Sequence, residues 1–214
     1  MRSPRSQTPG VGGAVGRLEV LVGTVIGQRL FLPPGPAAAV RDLGDMIRTP
    51  ITCGYAEFMA HAGGQAEEAL FVFPPEQLRF LTPGEVMSVW RQHAEMPPQD
   101  EQDAGYACEG RVRTTLFDRA RIPIAANEEG GAIAWIDGAP GPTGAVGQII
   151  VNITEVDWAV VANSLPELLW SYVSMVENGL AVVERMPHEI ADAHWLTVCG
   201  QPLDFPAYRQ ITGR

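Results

Sequence analysis

The chain contains no lysine, and its 15 basic residues are all arginine. This absence excludes every mechanism that needs a lysine from the chain itself. The phosphate clamp of a P-loop, a Schiff-base nucleophile and the strand lysine of a protein kinase are all ruled out. Any catalytic activity would have to rest on other side chains.

Cysteine is scarce as well. The three cysteines, Cys53, Cys108 and Cys199, are an odd number with wide separations. None of them stands in a C-x-x-C or C-x-x-H spacing, so we expect neither a disulfide framework nor a zinc site. Cysteines of this kind are typical of a reducing compartment, and we expect a cytoplasmic protein.

Long hydrophobic runs are missing too. No window approaches the roughly 18 consecutive apolar residues of a transmembrane helix, so we expect no membrane partner. The amino-terminal sequence MRSPRSQTPGVGG is basic and polar and lacks the apolar core of a signal peptide. Its glycine, proline and serine content predicts a disordered leader over residues 1–16.

The charge balance is strongly acidic, with a net charge of −10. Nucleic acids and anionic membranes are bound through clustered cations, so this balance disfavours both as partners. Complementary charge accelerates association with a basic protein partner. The same net charge also keeps a protein soluble without any partner, so charge alone leaves both interpretations open.

The sequence holds no catalytic or metal-binding motif. No serine or cysteine stands in a G-x-S-x-G elbow, and Cys53 is more simply a small core residue than a nucleophile. We therefore expect no metal, no cofactor and no enzymatic activity. The histidines are scattered and none belongs to H-E-x-x-H: His61, His93, His188 and His194.

A glycine-rich stretch from Gly130 to Ile153 lies at the centre of the chain. An apolar run, a turn-forming segment and a second apolar run follow one another. The glycines recur every third residue, which is not the G-x-G-x-x-G spacing of a dinucleotide site, and the run that follows is typical of a strand, not a helix. We expect a wide turn between antiparallel strands, where glycine supplies positive φ and proline stiffens the path.

Helix signals are clearest at two capping boxes, Thr82 with Glu85 and Ser164 with Glu167. Residues 17–32 fit a helix or a strand equally well, and the carboxy-terminal tail looks irregular. Helices followed by short strands and a long helix predict an α+β fold with a single central, mostly antiparallel sheet flanked by helices. We expect helices over 35–47, 53–62, 83–96, 164–178 and 184–193, and strands over 69–73, 78–81, 111–117, 121–125, 132–136, 146–153, 158–162 and 194–198.

The central stretch resembles the SUKH superfamily, which includes fungal cell-wall assembly regulators and bacterial immunity proteins. Roughly residues 50–180 take part. Arg121 stands where the family often has an aromatic residue. The motifs that carry the resemblance are YAEFMAHAGG at 55–64, LTPGEV at 81–86, IPIA at 122–125, the glycine pair at 130–131, the hydrophobic run into Asp137, Pro140–Gly141, Gly144, and VGQII at 146–150, followed by a hairpin and an amphipathic helix to Gly179.

The resemblance implies an interaction domain without catalytic residues. Bacterial members commonly bind and neutralise a cognate toxin, so it implies an immunity protein whose partner is a toxin with a basic surface. A non-catalytic regulatory or scaffold protein is the alternative. The implied organisation is a leader at 1–16, an amino-terminal extension at 17–49, a SUKH-like domain at 50–180 and a carboxy-terminal extension at 181–214.

Acidic loops are the candidate docking surface for such a partner, with Trp135 or Trp158 as possible aromatic anchors, although Trp135 is more simply a core residue. If these loops gather at one end of the sheet, they form a negative patch; otherwise they are ordinary solvated loops. The candidate contact residues are Asp100, Glu101, Asp103, Glu128, Glu129, Asp137, Glu155 and Asp157.

Overall fold

A computed structural model describes residues 10–47, 54–97, 110–113, 115, 117–128, 130–153, 158–186 and 193–212. The helices are α1 (Val11–Leu18), α2 (Thr24–Ile26), α3 (Ala37–Ile47), α4 (Tyr55–His61), α5 (Pro83–Glu95), α6 (Leu165–Glu177) and α7 (Phe205–Thr212). The strands are β1 (Phe71–Val72), β2 (Arg79–Phe80), β3 (Arg121–Ala126), β4 (Ala132–Asp137), β5 (Gln148–Ile153), β6 (Trp158–Ala162), β7 (Val182–Met186), β8 (Ala193–Val198) and β9 (Gln201–Pro202).

The five-stranded sheet has the order β2-β3-β4-β5-β6, with neighbouring strands antiparallel. Both of its faces are covered, which explains why the β4 and β5 sequences are nearly continuous apolar runs. Ala134 and Ile136 belong to the main core, while Ile133 and Trp135 belong to a smaller cluster on the opposite face. The predicted α+β class is confirmed.

A second sheet, which the sequence pattern does not predict, contains β1, β8 and β7 in that order, with β9 also paired to β8. The pairing of β1 with β8 is parallel and joins residues more than a hundred positions apart. Contacts of this kind leave no local sequence signal. The predicted single sheet therefore describes only the five-stranded one.

The capping predictions have different outcomes at the two helices. At α5, Thr82 Oγ1 accepts from the Glu85 amide and Glu85 Oε2 accepts from the Thr82 amide at 2.6 Å, so the predicted box is complete. At α6, Ser164 Oγ accepts from the Glu167 amide at 3.3 Å. The Glu167 carboxylate accepts instead from the amide of Asn163, so this box is only half formed.

The disordered leader predicted for residues 1–16 is wrong over its second half. Helix α1 continues through a π-helical turn, Glu19–Gly23, into α2, and Val11 and Ala14 are fully buried. The glycines allow the close packing of α1. A Cβ at Gly12 would overlap the His61 ring, and one at Gly13 would press against Trp170. Residues 1–9 lie outside the described part of the chain.

Three further expectations are wrong. The described part of 111–117 forms turns and a single β-bridge, not a strand. The expected helix over 184–193 begins inside strand β7, and residues 187–192 lie outside the described ranges. The tail forms helix α7, whose Tyr208 is fully buried and donates its hydroxyl to the Val161 carbonyl at 3.1 Å.

Both predicted extensions contribute to the main core. Leu18 and Leu30 from the amino-terminal part, and Leu203 and Tyr208 from the carboxy-terminal part, are buried in one cluster with the central helices and sheet. Within the described ranges, no helix has the length and apolar character needed to cross a bilayer.

Candidate functional site

Three polar residues lie side by side on three adjacent strands, at one end of the five-stranded sheet. Arg121 on β3 is paired in register with Asp137 on β4, and Asp137 with Gln148 on β5. All three are almost completely buried, with exposed fractions of 1%, 0% and 0%. Buried polar groups need partners, so this row must be satisfied internally.

The acidic and amide members of the row hold the glycine loop, which we define as Gly138–Gly147. Asp137 Oδ1 accepts from the Ala139 amide at 3.1 Å, and Asp137 Oδ2 accepts from Gln148 Nε2 at 3.0 Å. Gln148 Oε1 accepts from the Ala145 amide at 3.2 Å. The two side chains therefore fix the start and the end of the loop.

The basic member holds the segment that precedes β3, which we call the strap (residues 110–120, with 114 and 116 outside the described part). Arg121 donates to the carbonyls of Thr115 at 2.6 Å and Arg113 at 2.8 Å. Gln148 Nε2 donates to the Arg111 carbonyl at 2.8 Å. Side-chain donors thus replace the strand ladder that the sequence pattern suggested for the strap.

The charge of Arg121 is stabilised from two sides. Its Nε lies 3.6 Å from Asp137 Oδ1, and its guanidinium carbon lies 4.4 Å from the centre of the Trp158 ring. Burial lowers the pKa of Arg121, while the carboxylates of Asp137 and Asp118 oppose that shift. Because the pKa of arginine starts so high, the side chain stays protonated. The arrangement is a buried ion pair with a cation–π contact.

Close approach of backbones, not positive φ, explains most of the loop glycines. A Cβ at Gly138, Gly141 or Gly144 would lie well under 3.0 Å from carbonyl oxygens of the strap. Only Gly147 of the loop has a positive φ, at 88°. The expectation that glycine serves conformational freedom here is therefore correct for one position and wrong for the other three.

The loop presents small uncharged side chains to solvent. Its backbone is held by bonds such as Gly141 N to Arg111 O at 2.9 Å and Gly147 N to Asp137 O at 2.8 Å. Val146, predicted to begin the strand, lies outside β5 and is 65% exposed. The loop is thus a preorganised surface element without charge at its tip.

Both tryptophans proposed as anchors are buried. Trp135 and Trp158 are each 4% exposed. Trp135 Nε1 donates to Asn152 Oδ1 at 2.6 Å, and the His93 ring meets Trp135 edge-on, with ring centroids 4.7 Å apart. Burial lowers the pKa of His93. Both tryptophans belong to the smaller hydrophobic cluster on one face of the five-stranded sheet, so neither can serve as an exposed anchor.

Asp137 is also removed from the candidate contact residues. Full burial and its bonds to Ala139 and Gln148 leave it no surface for a partner, so its assignment to the acidic docking surface is wrong. Glu128 is exposed, as expected of a contact residue. The other candidates lie outside the described residues: Asp100, Glu101, Asp103, Glu129, Glu155 and Asp157.

Glu128 lies in the wall of a cleft of about 400 Å³. Glu67, exposed on a short 3₁₀ turn, lines the same cleft and has no sequence signal beyond a pair of adjacent glutamates. Arg79, the basic residue of the lining, is paired with Glu85. Among the described lining residues, that pairing leaves the carboxylates of Glu67 and Glu128 to accept hydrogen bonds from a basic group, while Leu81 and Ala126 supply apolar lining.

Among the described residues, no three histidine, cysteine, aspartate or glutamate side chains are grouped as metal ligands would be. A scan of the chain against protein-family models finds no match, and a search of curated proteins finds none similar to it.

Proposed function

We propose that this protein is an immunity protein, which binds a cognate bacterial toxin in the cytoplasm and neutralises it by protein–protein contact, without catalysing a reaction. The observation that carries the proposal is the resemblance of the central stretch to the SUKH superfamily. The motif residues of this stretch lie on β3, β4, the glycine loop and β5, and the three strands are neighbours at the centre of the sheet.

The charge of the chain supports a basic partner. The net charge is −10, and the cleft beside Glu128 adds a second carboxylate from Glu67. A toxin that acts on nucleic acid needs a cationic surface for phosphate, and acidic groups that cover this surface would block its substrate. Inhibition by occupation of that surface is the mechanism we propose.

Co-expression with the product of the adjacent gene tests the proposal. The chain should restore growth to cells that express the toxin and should co-purify with it. Absence of both rescue and a complex with any neighbouring toxin-like product would refute the immunity function. Partners that persist when the neighbouring gene is deleted would indicate instead a regulatory or scaffold protein.

Charge substitutions test where the toxin binds. Simultaneous reversal of Asp100, Glu101 and Asp103 to arginine should weaken the complex and flatten its dependence on salt. Glu128→Arg should act in the same direction. Glu68→Arg is the matched control, since Glu68 is exposed beside Glu67 but does not line the cleft. Unchanged affinity in both acidic variants would place the interface elsewhere.

A further inference from the structure

Strand β7 forms an edge of the second sheet. Among the described strands it pairs only with β8, and most of its residues are exposed. Edge strands of soluble proteins are usually covered, shortened or guarded by charge, because they can pair with another chain. Glu184 and Arg185 guard the middle of β7 by charge, but its first two residues, Val182 and Val183, are apolar.

Apolar surface continues from this edge. Val182 at the start of β7 is 47% exposed, and Leu180 just before it is 48% exposed. Leu180 also lines a groove of about 270 Å³ between α6 and α7, where Trp170, Met175 and Ile211 contribute apolar side chains. An open strand edge beside an apolar groove is the arrangement that binds an added strand.

The local charge of β7 favours a second copy of this chain over a basic partner. Although the protein has a net charge of −10, β7 contains one glutamate and one arginine, Glu184 and Arg185, so its own charge is zero. We propose that β7 is the interface of a symmetric homodimer, in which two β7 strands pair antiparallel about a twofold axis at Val183 and join their sheets.

Symmetry and charge select this register. The twofold axis of an antiparallel strand pair is perpendicular to the sheet, so directly opposed side chains point to the same face. An axis at Glu184 would oppose two carboxylates, and an axis at Arg185 would oppose two guanidinium groups, both of which destabilise pairing. An axis at Val183 avoids both and overlaps more of the strand than one at Val182.

The chosen register gives Val183 and Leu180 apolar partners. Val183 faces its own copy, and Leu180 lies opposite Met186 of the second chain, at the rim of the groove. Val182 lies opposite Glu184. The interface is small, so the dimer is weak, with a dissociation constant roughly between 1 and 100 μM.

Sedimentation velocity on the full chain tests the proposal. The mass should rise with concentration from 23.1 kDa towards twice that value. Added salt should tighten the dimer, since each copy carries a net charge of −10 and screening reduces their repulsion. A chain that stays monomeric up to about 0.5 mM, well above the expected dissociation constant, overturns the proposal.

Two substitutions at one position test the register. Val182→Glu places a second carboxylate opposite Glu184 and should raise the dissociation constant at least about tenfold, because the substitution occurs twice in a symmetric interface. Val182→Arg places a guanidinium there and should leave the dimer as tight or tighter. Val25→Glu is the control, because Val25 is 54% exposed on α2 and belongs neither to β7 nor to the lining of the groove.

The outcomes distinguish the possibilities. Equal weakening by both Val182 variants refutes the register, and a Val182→Glu variant whose dissociation constant equals that of the parent refutes the interface. Circular dichroism checks that each variant is folded. If Val182→Glu does not fold, hydrogen exchange of the unmodified protein decides: the β7 amides should exchange more slowly at high than at low protein concentration, and equal rates contradict the dimer.

Discussion

Replacing Arg121 by methionine removes the basic member of the buried row while keeping an unbranched apolar stem. Asp137 then remains fully buried without its cation, although the Ala139 amide and Gln148 Nε2 still donate to it. Two strap carbonyls, those of Arg113 and Thr115, lose their donors as well.

Most of the expected loss in the free energy of unfolding comes from the Asp137 carboxylate, which stays buried without its cation. Breaking a buried ion pair by removing one partner costs about 3–5 kcal/mol. The strap carbonyls add less than their full desolvation cost, because the strap lies at the surface and water can reach it. We therefore expect Arg121→Met to lower the free energy of unfolding by about 3–5 kcal/mol.

Urea titration followed by tryptophan fluorescence measures this loss, since Trp158 lies against the guanidinium. Arg91→Met, on the exposed side of α5, is the control and should stay within about 0.5 kcal/mol of the parent. Adding Asp137→Asn to Arg121→Met should restore part of the stability by removing the stranded charge. A loss below about 1 kcal/mol for Arg121→Met would refute the role assigned to this network.

Two other predictions concern the loop and a half-buried carboxylate. Gly144→Ala should destabilise the protein by about 1–3 kcal/mol in urea titration, because its Cβ meets the Arg111 carbonyl, whereas Gly16→Ala in helix α1, with open space around it, should stabilise by up to about 1 kcal/mol. Equal effects would contradict the close-packing explanation. Burial, and then the carboxylate of Asp204, raises the pKa of Glu76 above its ordinary value of 4.5. The folded state therefore holds this proton more tightly, and its stability falls as pH rises from 4.5 through the raised pKa. Glu76→Gln should be more stable than the parent at neutral pH, and thermal melts should show this advantage shrinking as pH falls below that window; an advantage independent of pH would refute the assignment.

The sequence predicts best those elements that depend on residues close together in the chain. The capping box at Thr82 and the apolar runs of β4 and β5 appear where expected, because a cap involves four residues and a strand its own alternation. The glycine-rich α1 was the exception. Its glycines suggest disorder in isolation, and only the rings of His61 and Trp170, which lie against Gly12 and Gly13, show that they belong to a packed helix.

The candidate site could be predicted only in part, because exposure of a charged residue is not a local property. Glu128 and Asp137 both stand next to turns and look alike in the sequence. Glu128 is exposed at the edge of a cleft, while Asp137 is buried because strand register brings Arg121 and Gln148 beside it. The sequence does not show that register, because the three residues lie on three different strands.

The sequence by itself determined that lysine-dependent chemistry is absent, where the capping box at Thr82 lies and which runs are apolar. Those properties depend on residue type and on neighbours within one or two turns of chain. Only the tertiary structure decided which charges are buried, that side-chain donors hold the strap in place of a strand ladder, and that β7 is left at an edge. Each of these depends on contacts between segments that are distant in the sequence. Such contacts stabilise the chain only once it has folded.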